Sequence, residues 1–124
     1  MRILVVDGAN VVGSVPDGWW RDRAGAAARL HRALVSADLP FDAVELVLEG
    51  KARAGVPAGV EGAVTTTHPP ASGDDEIVLR CREHAASGAA VTIASTDRGL
   101  LERLTPLRVT STGPRTLRVQ LGSP

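Results

Sequence analysis

The fold is decided by Ile3-Leu4-Val5-Val6-Asp7-Gly8, an apolar run that ends on an acidic residue and a glycine. Four consecutive apolar residues followed by turn residues are typical of a strand buried on both faces, as in the centre of a parallel sheet. A carboxylate at the end of such a strand is costly unless it is paired or bound to a cation. The run therefore predicts a central strand with a candidate functional residue, Asp7, at its carboxyl end.

Further along the chain, strand patterns alternate with helix patterns. Strands are predicted over 44–48, 63–67, 90–94 and 107–110, and helices over 26–37, 74–85 and 100–104. This alternation predicts an α/β fold with a parallel sheet and right-handed crossovers. Residues 50–62, rich in alanine, glycine and proline, are expected to be the least structured segment and a candidate mobile flap.

The composition predicts one globular domain that spans residues 1–124. The chain is 44% hydrophobic and has 14 Lys+Arg against 14 Asp+Glu, so its net charge is zero. A neutral chain is unlike proteins that bind nucleic acid through a generally basic surface. The lone Cys81 cannot form an internal disulfide, and no apolar run approaches the ~20 residues that span a bilayer. We therefore expect a cytoplasmic protein with no membrane contact.

Acidic residues fall where predicted strands end or predicted helices begin. Asp7 follows the first strand, Asp74 and Asp75 open the second long helix, and Asp97 follows the 90–94 strand. In a parallel sheet these positions share one edge, the edge where open α/β sheets bind ligands. Converging carboxylates repel one another, and Mg²⁺ or Mn²⁺ prefers oxygen ligands. The pattern predicts a Mg²⁺ or Mn²⁺ site that faces a phosphodiester.

Each of these residues also has a structural interpretation. Asp74 and Asp75 suit the first turn of a helix with Ser72 as its N-cap, and Asp97 can cap the 100–104 helix. Asn10, three residues after Asp7, can bind a metal-bound water or a phosphate, or it can hold the turn at Gly8.

Substrate contacts are predicted for an aromatic and two basic residues. Trp19 and Trp20 are adjacent, so one ring should pack and the other be exposed; Trp20 is the candidate for stacking on a base. Arg21 and Arg98 are candidates for phosphate contacts. His68 is a candidate for acid-base chemistry, with simple exposure as the alternative.

Three segments, in order, resemble the successive signatures of NYN domains, a branch of the PIN-like metal-dependent nucleases: Asp7-Gly8-Ala9-Asn10-Val11, Gly73-Asp74-Asp75-Glu76-Ile77 and Ser95-Thr96-Asp97-Arg98-Gly99-Leu100. The resemblance implies a three-layer α/β/α sandwich with a parallel sheet of about five strands ordered 3-2-1-4-5. It implies RNA cleavage with Mg²⁺ or Mn²⁺, leaving a 5′-phosphate and a 3′-hydroxyl. The functional positions it implies are Asp7, Asn10, Asp74, Asp75 and Asp97. Where relatives often carry Asp-Gly, this chain has Glu49-Gly50, so Glu49 is predicted to lie beside the ion rather than on it.

The sequence therefore predicts a metal-dependent endoribonuclease with RNA as its substrate. Two alternatives stay open: a non-catalytic PIN-like module that binds RNA or a protein partner, and a hydrolase of small phosphorylated metabolites. The neutral charge gives weak RNA affinity on its own, so delivery to the substrate by a protein partner stays open. A homodimer also stays open, because Trp19 and Trp20 could equally form a dimer contact.

Overall fold

The computed structural model describes residues 1–122; residues 123 and 124 of the predicted domain lie outside the described residues. The strands are β1 (Arg2–Asp7), β2 (Ala43–Val47), β3 (Gly59–Glu61), β4 (Val64–Thr67), β5 (Ala90–Ala94) and β6 (Thr110–Thr112). The α-helices are α1 (Gly8–Val12), α2 (Arg23–Ser36), α3 (Gly73–Ala86), α4 (Arg98–Leu104) and α5 (Pro114–Gln120). Short 3-10 helices lie at Trp19–Arg21, Gly50–Gly55 and Thr105–Leu107. Within residues 1–122, no helix combines the length and apolar character that a membrane span requires.

The six strands form one sheet in the order β3-β4-β2-β1-β5-β6. β1 lies at the centre and pairs in parallel with both β2 and β5, while β4 and β6 extend the parallel sheet on either side. Counted along the chain, the five parallel strands have the order 3-2-1-4-5, which confirms the predicted topology. The antiparallel edge strand β3 is an addition that the sequence did not predict.

The side chains of β1 alternate between two cores and so join the three layers. Leu4 and Val6 pack with α2 and α5, whereas Ile3 and Val5 pack with α3 and α4. All four side chains are almost completely buried, as the apolar run predicted. Because alternate residues of a strand share a face, Asp7 is directed to the same side as Ile3 and Val5, toward α3 and α4.

The expectation that residues 50–62 form a loose segment is wrong. The Gly50–Gly55 helix packs so closely on α2 that a Cβ at Gly55 would collide with the Ala24 carbonyl oxygen. The next residue, Val56, is buried, and its carbonyl oxygen accepts a hydrogen bond from His68 Nε2 at 2.8 Å. Small residues here allow close backbone approach, a role that composition alone does not distinguish from looseness. His68, a candidate for acid-base chemistry, thus contacts this segment through its ring nitrogen.

The last strand, predicted over 107–110, begins later in the chain than predicted. Leu107 ends a 3-10 helix, and Arg108 adopts a left-handed conformation with φ of 57°, so the strand begins at Thr110. The helix α5 was not predicted, because its only long, fully buried apolar side chain is Leu117 and so short a segment has no visible periodicity.

Candidate active site

The acids predicted at the carboxyl edge of the sheet lie at the starts of three helices. Asp7 ends β1 and caps α1, accepting a hydrogen bond from the Asn10 backbone N–H at 3.3 Å. Asp97 follows β5 and caps α4, accepting from the Leu100 N–H at 3.0 Å. Asp74 lies in the first turn of α3. The capping interpretation of Asp97 is therefore confirmed, and it is compatible with a second role at the edge.

Asp7 is the most buried of the acids, with 8% of its surface exposed. Burial raises the pKa of its carboxyl, and the negative charges of Asp74 and Glu49 add to that rise. Hydrogen bonds from the Ser95 hydroxyl, 2.9 Å from Oδ2, and from the Asn10 N–H oppose it without cancelling it. The carboxyl group of Asp7 thus lies in a buried environment with a negative electrostatic potential, which disfavours its ionised form.

Asp74 faces other acids as well. Burial raises the pKa of Asp74, and the carboxylates of Asp97, Glu49 and Asp75 raise it further, while Arg103 lowers it. Two of the acids therefore have raised pKa values, and each is influenced by acids from other segments of the chain. Asp74 thus influences Asp7 and is influenced by Asp97, while a metal site shared by all three acids stays a prediction.

Asp75 has a different environment from its neighbour Asp74. Its Oδ1 accepts a hydrogen bond from Arg103 on α4 at 2.9 Å, and its side chain is 66% exposed. The sequence predicted both aspartates as metal ligands, whereas in the structure Asp75 forms an ion pair with Arg103. Consecutive helical residues point about 100° apart, so a single turn directs the two carboxylates differently.

Glu49 has a role that the sequence did not reveal. Its Oε2 accepts a hydrogen bond from the Gly73 N–H at 2.7 Å and so caps α3 from another segment of the chain. Within residues 1–122, Ser72 makes no capping hydrogen bond through its side chain, although it was the expected cap. A Cβ at Gly73 would lie 2.5 Å from Glu49 Oε2, so the glycine makes room for this contact.

Asn10 connects the β1 end of the edge to the β5 end. Its Oδ1 accepts hydrogen bonds from the Thr96 backbone N–H at 3.0 Å and from the Thr96 hydroxyl at 3.2 Å. Because Thr96 precedes Asp97, Asn10 positions the segment that carries this acid. The sequence suggested a contact to water, phosphate or the Gly8 turn instead.

The donor chemistry of the edge suits a hard divalent ion held through water. Within residues 1–122, no three acidic, histidine or cysteine side chains approach closely enough to ligate one ion together. Mg²⁺ keeps several waters and binds proteins through one or two carboxylates, so it does not require such a group. The buried Asp7 and the half-buried Asp74, with raised pKa values and only oxygen donors, fit a hydrated ion of this kind.

The predicted substrate contacts are all exposed. Trp20 has 51% of its surface exposed, with the Arg21 guanidinium 5.9 Å from its ring centroid, and Arg98 is exposed at the start of α4. Trp19 packs against the core on the α2 side of the sheet, so one tryptophan packs and the other is exposed, as predicted.

Comparison with known proteins adds evidence on the fold. No protein-family model and no curated protein matches the sequence. Among solved structures, the chain is similar to a crystal structure of a mutant of Rae1 (YacP) from Bacillus subtilis, with a TM-score of 0.75 and 20% identity. The alignment covers 98% of this chain and 76% of that chain. At this identity the likeness supports the α/β/α fold and says nothing about individual site residues.

Proposed function

We propose that the chain is a cytoplasmic, metal-dependent endoribonuclease that hydrolyses RNA at the carboxyl edge of its sheet. The observation that carries this proposal is the hydrogen-bonded link from the Asp7 carboxylate through Ser95 to the backbone N–H of Asp97, with Asp74 in the first turn of α3 at the same edge of the sheet. The three segments that carry these acids resemble, in order, the NYN signatures. The likeness to Rae1 (YacP) supports the fold on which such a site is built.

Asp7, Asp74 and Asp97 would hold Mg²⁺ or Mn²⁺ directly or through water. When bound, such an ion supplies an activated water and offsets the charge that develops on the scissile phosphate. Asp75 would join this set only after releasing Arg103, whose guanidinium it binds at 2.9 Å.

Neighbouring residues would keep the acids in place. Ser95 fixes the Asp7 carboxylate through its hydroxyl, and the Ser95 oxygen also accepts a hydrogen bond from the Asp97 N–H at 3.1 Å. Asn10 fixes Thr96 and thereby the start of α4. Preorganised acids need no rearrangement when a cation and a phosphate arrive.

The exposed residues would contact the RNA strand outside the acidic edge. Arg21 and Arg98 would bind phosphates, and Trp20 would stack on an exposed base. Two arginines neutralise few phosphates, so the affinity of one chain for RNA would be weak. Delivery to the RNA by a protein partner, or action as a homodimer, would compensate for this weak affinity.

Cleavage of a single-stranded RNA of mixed sequence tests the proposal. We expect cleavage with Mg²⁺ or Mn²⁺ and none with a chelator. Asp7→Asn should reduce the rate by about 100-fold or more, the scale of losing one essential electrostatic group. Asp38→Asn is the matched control, because Asp38 is an exposed acid beyond the end of α2 and away from the edge.

Thermal melting with added Mn²⁺ provides a second measurement. Mn²⁺ should stabilise the wild-type protein and the Asp38→Asn variant but not Asp7→Asn. Equal cleavage by Asp7→Asn and wild type would contradict the proposal. The absence of both cleavage and metal stabilisation would also contradict it and favour the non-catalytic module, whereas hydrolysis of phosphomonoesters without RNA cleavage would favour the metabolite hydrolase.

A further inference from the structure

A cleft of about 470 Å³ lies next to α1, the Trp19–Arg21 helix and the segment that follows β2. This volume falls within the roughly 300–1,000 Å³ of small-molecule sites in proteins. Its lining combines apolar groups from Val12, Trp19 and Ala52 with the charged side chains of Arg23 and Glu49. Such a mixture suits a flat, mainly apolar ligand with a polar rim.

Two lining residues connect the cleft to the acidic edge. Gly8 directly follows Asp7, and Glu49 accepts the hydrogen bond from Gly73, the residue before Asp74. The cleft is therefore lined by residues that adjoin Asp7 along the chain and that contact the segment preceding Asp74.

Trp19 gives the cleft an aromatic wall with a fixed orientation. The Trp19 and Trp20 rings are nearly perpendicular, with 5.9 Å between their centroids, and the Arg23 guanidinium lies 5.2 Å from the Trp19 centroid. Trp19 also packs against the α2-side core, which restricts its motion. An ordered indole ring beside a guanidinium group recognises nucleobases through stacking and cation-π contacts.

We infer that this cleft binds one nucleobase of the substrate strand, with Trp19 and Arg23 as the residues that recognise it. The inference rests on the proposed function, because it seats a base beside the acids that would act on its neighbouring phosphate. It adds a half-buried base site to the exposed ring of Trp20, the only stacking residue that the sequence suggested.

Nuclear magnetic resonance of the tryptophan indole N–H groups tests the inference directly. The chain has two tryptophans, so Trp20→Phe assigns both indole signals. Wild-type protein is titrated with adenosine, cytidine and, as a probe without a base, ribose, all in the presence of a chelator. We expect saturable shifts of the Trp19 signal with the nucleosides and none with ribose.

Two variants and one control complete the experiment. Trp19→Leu and Arg23→Ala should each weaken nucleoside binding about fivefold or more, as expected for the loss of one stacking or cation-π partner. Arg32→Ala, which removes an exposed arginine from the same helix, should bind as the wild type does. Arg23 is exposed, so its variant should fold normally even if Trp19→Leu does not.

The inference is overturned if ribose shifts the Trp19 signal as adenosine does, if only the Trp20 signal moves, or if Arg23→Ala binds like the wild type. Because the titration uses neither metal nor cleavage, nucleoside binding without RNA hydrolysis would defeat the proposed function alone. RNA hydrolysis without nucleoside binding would defeat the base site alone.

Discussion

The Ser95 hydroxyl donates a hydrogen bond to Asp7 Oδ2 at 2.9 Å, joining two residues that lie 88 positions apart in the chain. The contact is possible because β1 and β5 are parallel neighbours, so their carboxyl ends meet. Ser95 is buried, and its oxygen also accepts a hydrogen bond from the Asp97 N–H. One hydroxyl group therefore connects the two strand ends that carry the central acid and the acid of α4.

Asp7→Asn should raise the melting temperature of the metal-free protein near neutral pH. Burial and neighbouring acids raise the native pKa of Asp7, so ionisation of this carboxyl destabilises the native state relative to the unfolded state. The stability contributed by protonation is complete below the unfolded pKa of about 3.9 and is lost as the pH rises through the higher native pKa. The amide removes the charge and retains an oxygen that can accept from Ser95.

Melting curves in a chelator check this prediction, recorded at about pH 4, close to the unfolded pKa, and at about pH 7. The gain should be larger at the higher pH. A gain that is the same at both values, or one that Asp38→Asn reproduces, would show that the ionisation of Asp7 is not its cause.

Glu49→Ala should lower the free energy of unfolding by about 1 kcal/mol, the typical value of a helix cap. The physical reason is that the Gly73 N–H loses its acceptor at the first turn of α3. Glu49→Gln should retain most of the stability, because the amide oxygen can accept the same hydrogen bond. The amide also removes the negative charge that repels the carboxylates of Asp7 and Asp74. Denaturant unfolding measures both variants, with the exposed Glu83→Ala of α3 as control. Equal losses for the two Glu49 variants would rule out the capping explanation.

The main strands could be predicted from the sequence because burial on both faces leaves a direct pattern. Ile3 to Val6 are apolar since helices cover both sides of β1. The shared edge of the acids could also be predicted, because it follows from parallel strand direction alone. The position of β6 could not be predicted, because the apolar Leu107 belongs to a 3-10 helix and the strand itself is a short polar run, Thr110–Thr112.

The hydrogen-bond partners of the site residues could not be predicted from sequence patterns. Glu49 and Gly73 are 24 positions apart, and Asn10 and Thr96 are 86 apart. Spacing rules cover contacts within one helix or one turn, whereas these contacts depend on how loops from different strands meet. The same limit explains why Ser72 was the expected cap of α3, since a serine before an acidic turn is the local pattern for one.

Cys81 should not react with a thiol reagent while the protein is folded. Its side chain is fully buried on α3, and burial together with the charge of Glu45 raises the pKa of the thiol to about 12. Because the thiolate is the reactive form, native labelling at about pH 8 should proceed only through unfolding. Mass spectrometry after incubation with iodoacetamide measures this, with denatured protein as the control for full labelling. Rapid labelling of the native protein would contradict the packing of α3.

Arg103→Gln should strengthen the stabilisation of the protein by Mn²⁺. Arg103 binds Asp75 and lowers the pKa of Asp74, so its positive charge competes with a cation for the same carboxylates. The pair is largely exposed, so we expect a roughly two- to fivefold gain in apparent affinity, the range of exposed ion pairs.

Melting temperature as a function of Mn²⁺ concentration measures this change, and Arg82→Gln, which removes an exposed arginine from α3, is the matched control. An equal gain in both variants would mean that only the total charge matters. No gain in Arg103→Gln would place the ion away from Asp74 and Asp75. A gain specific to Arg103, and lost when Asp75→Asn is added, would show that the freed Asp75 carboxylate contributes to the metal site as the sequence predicted.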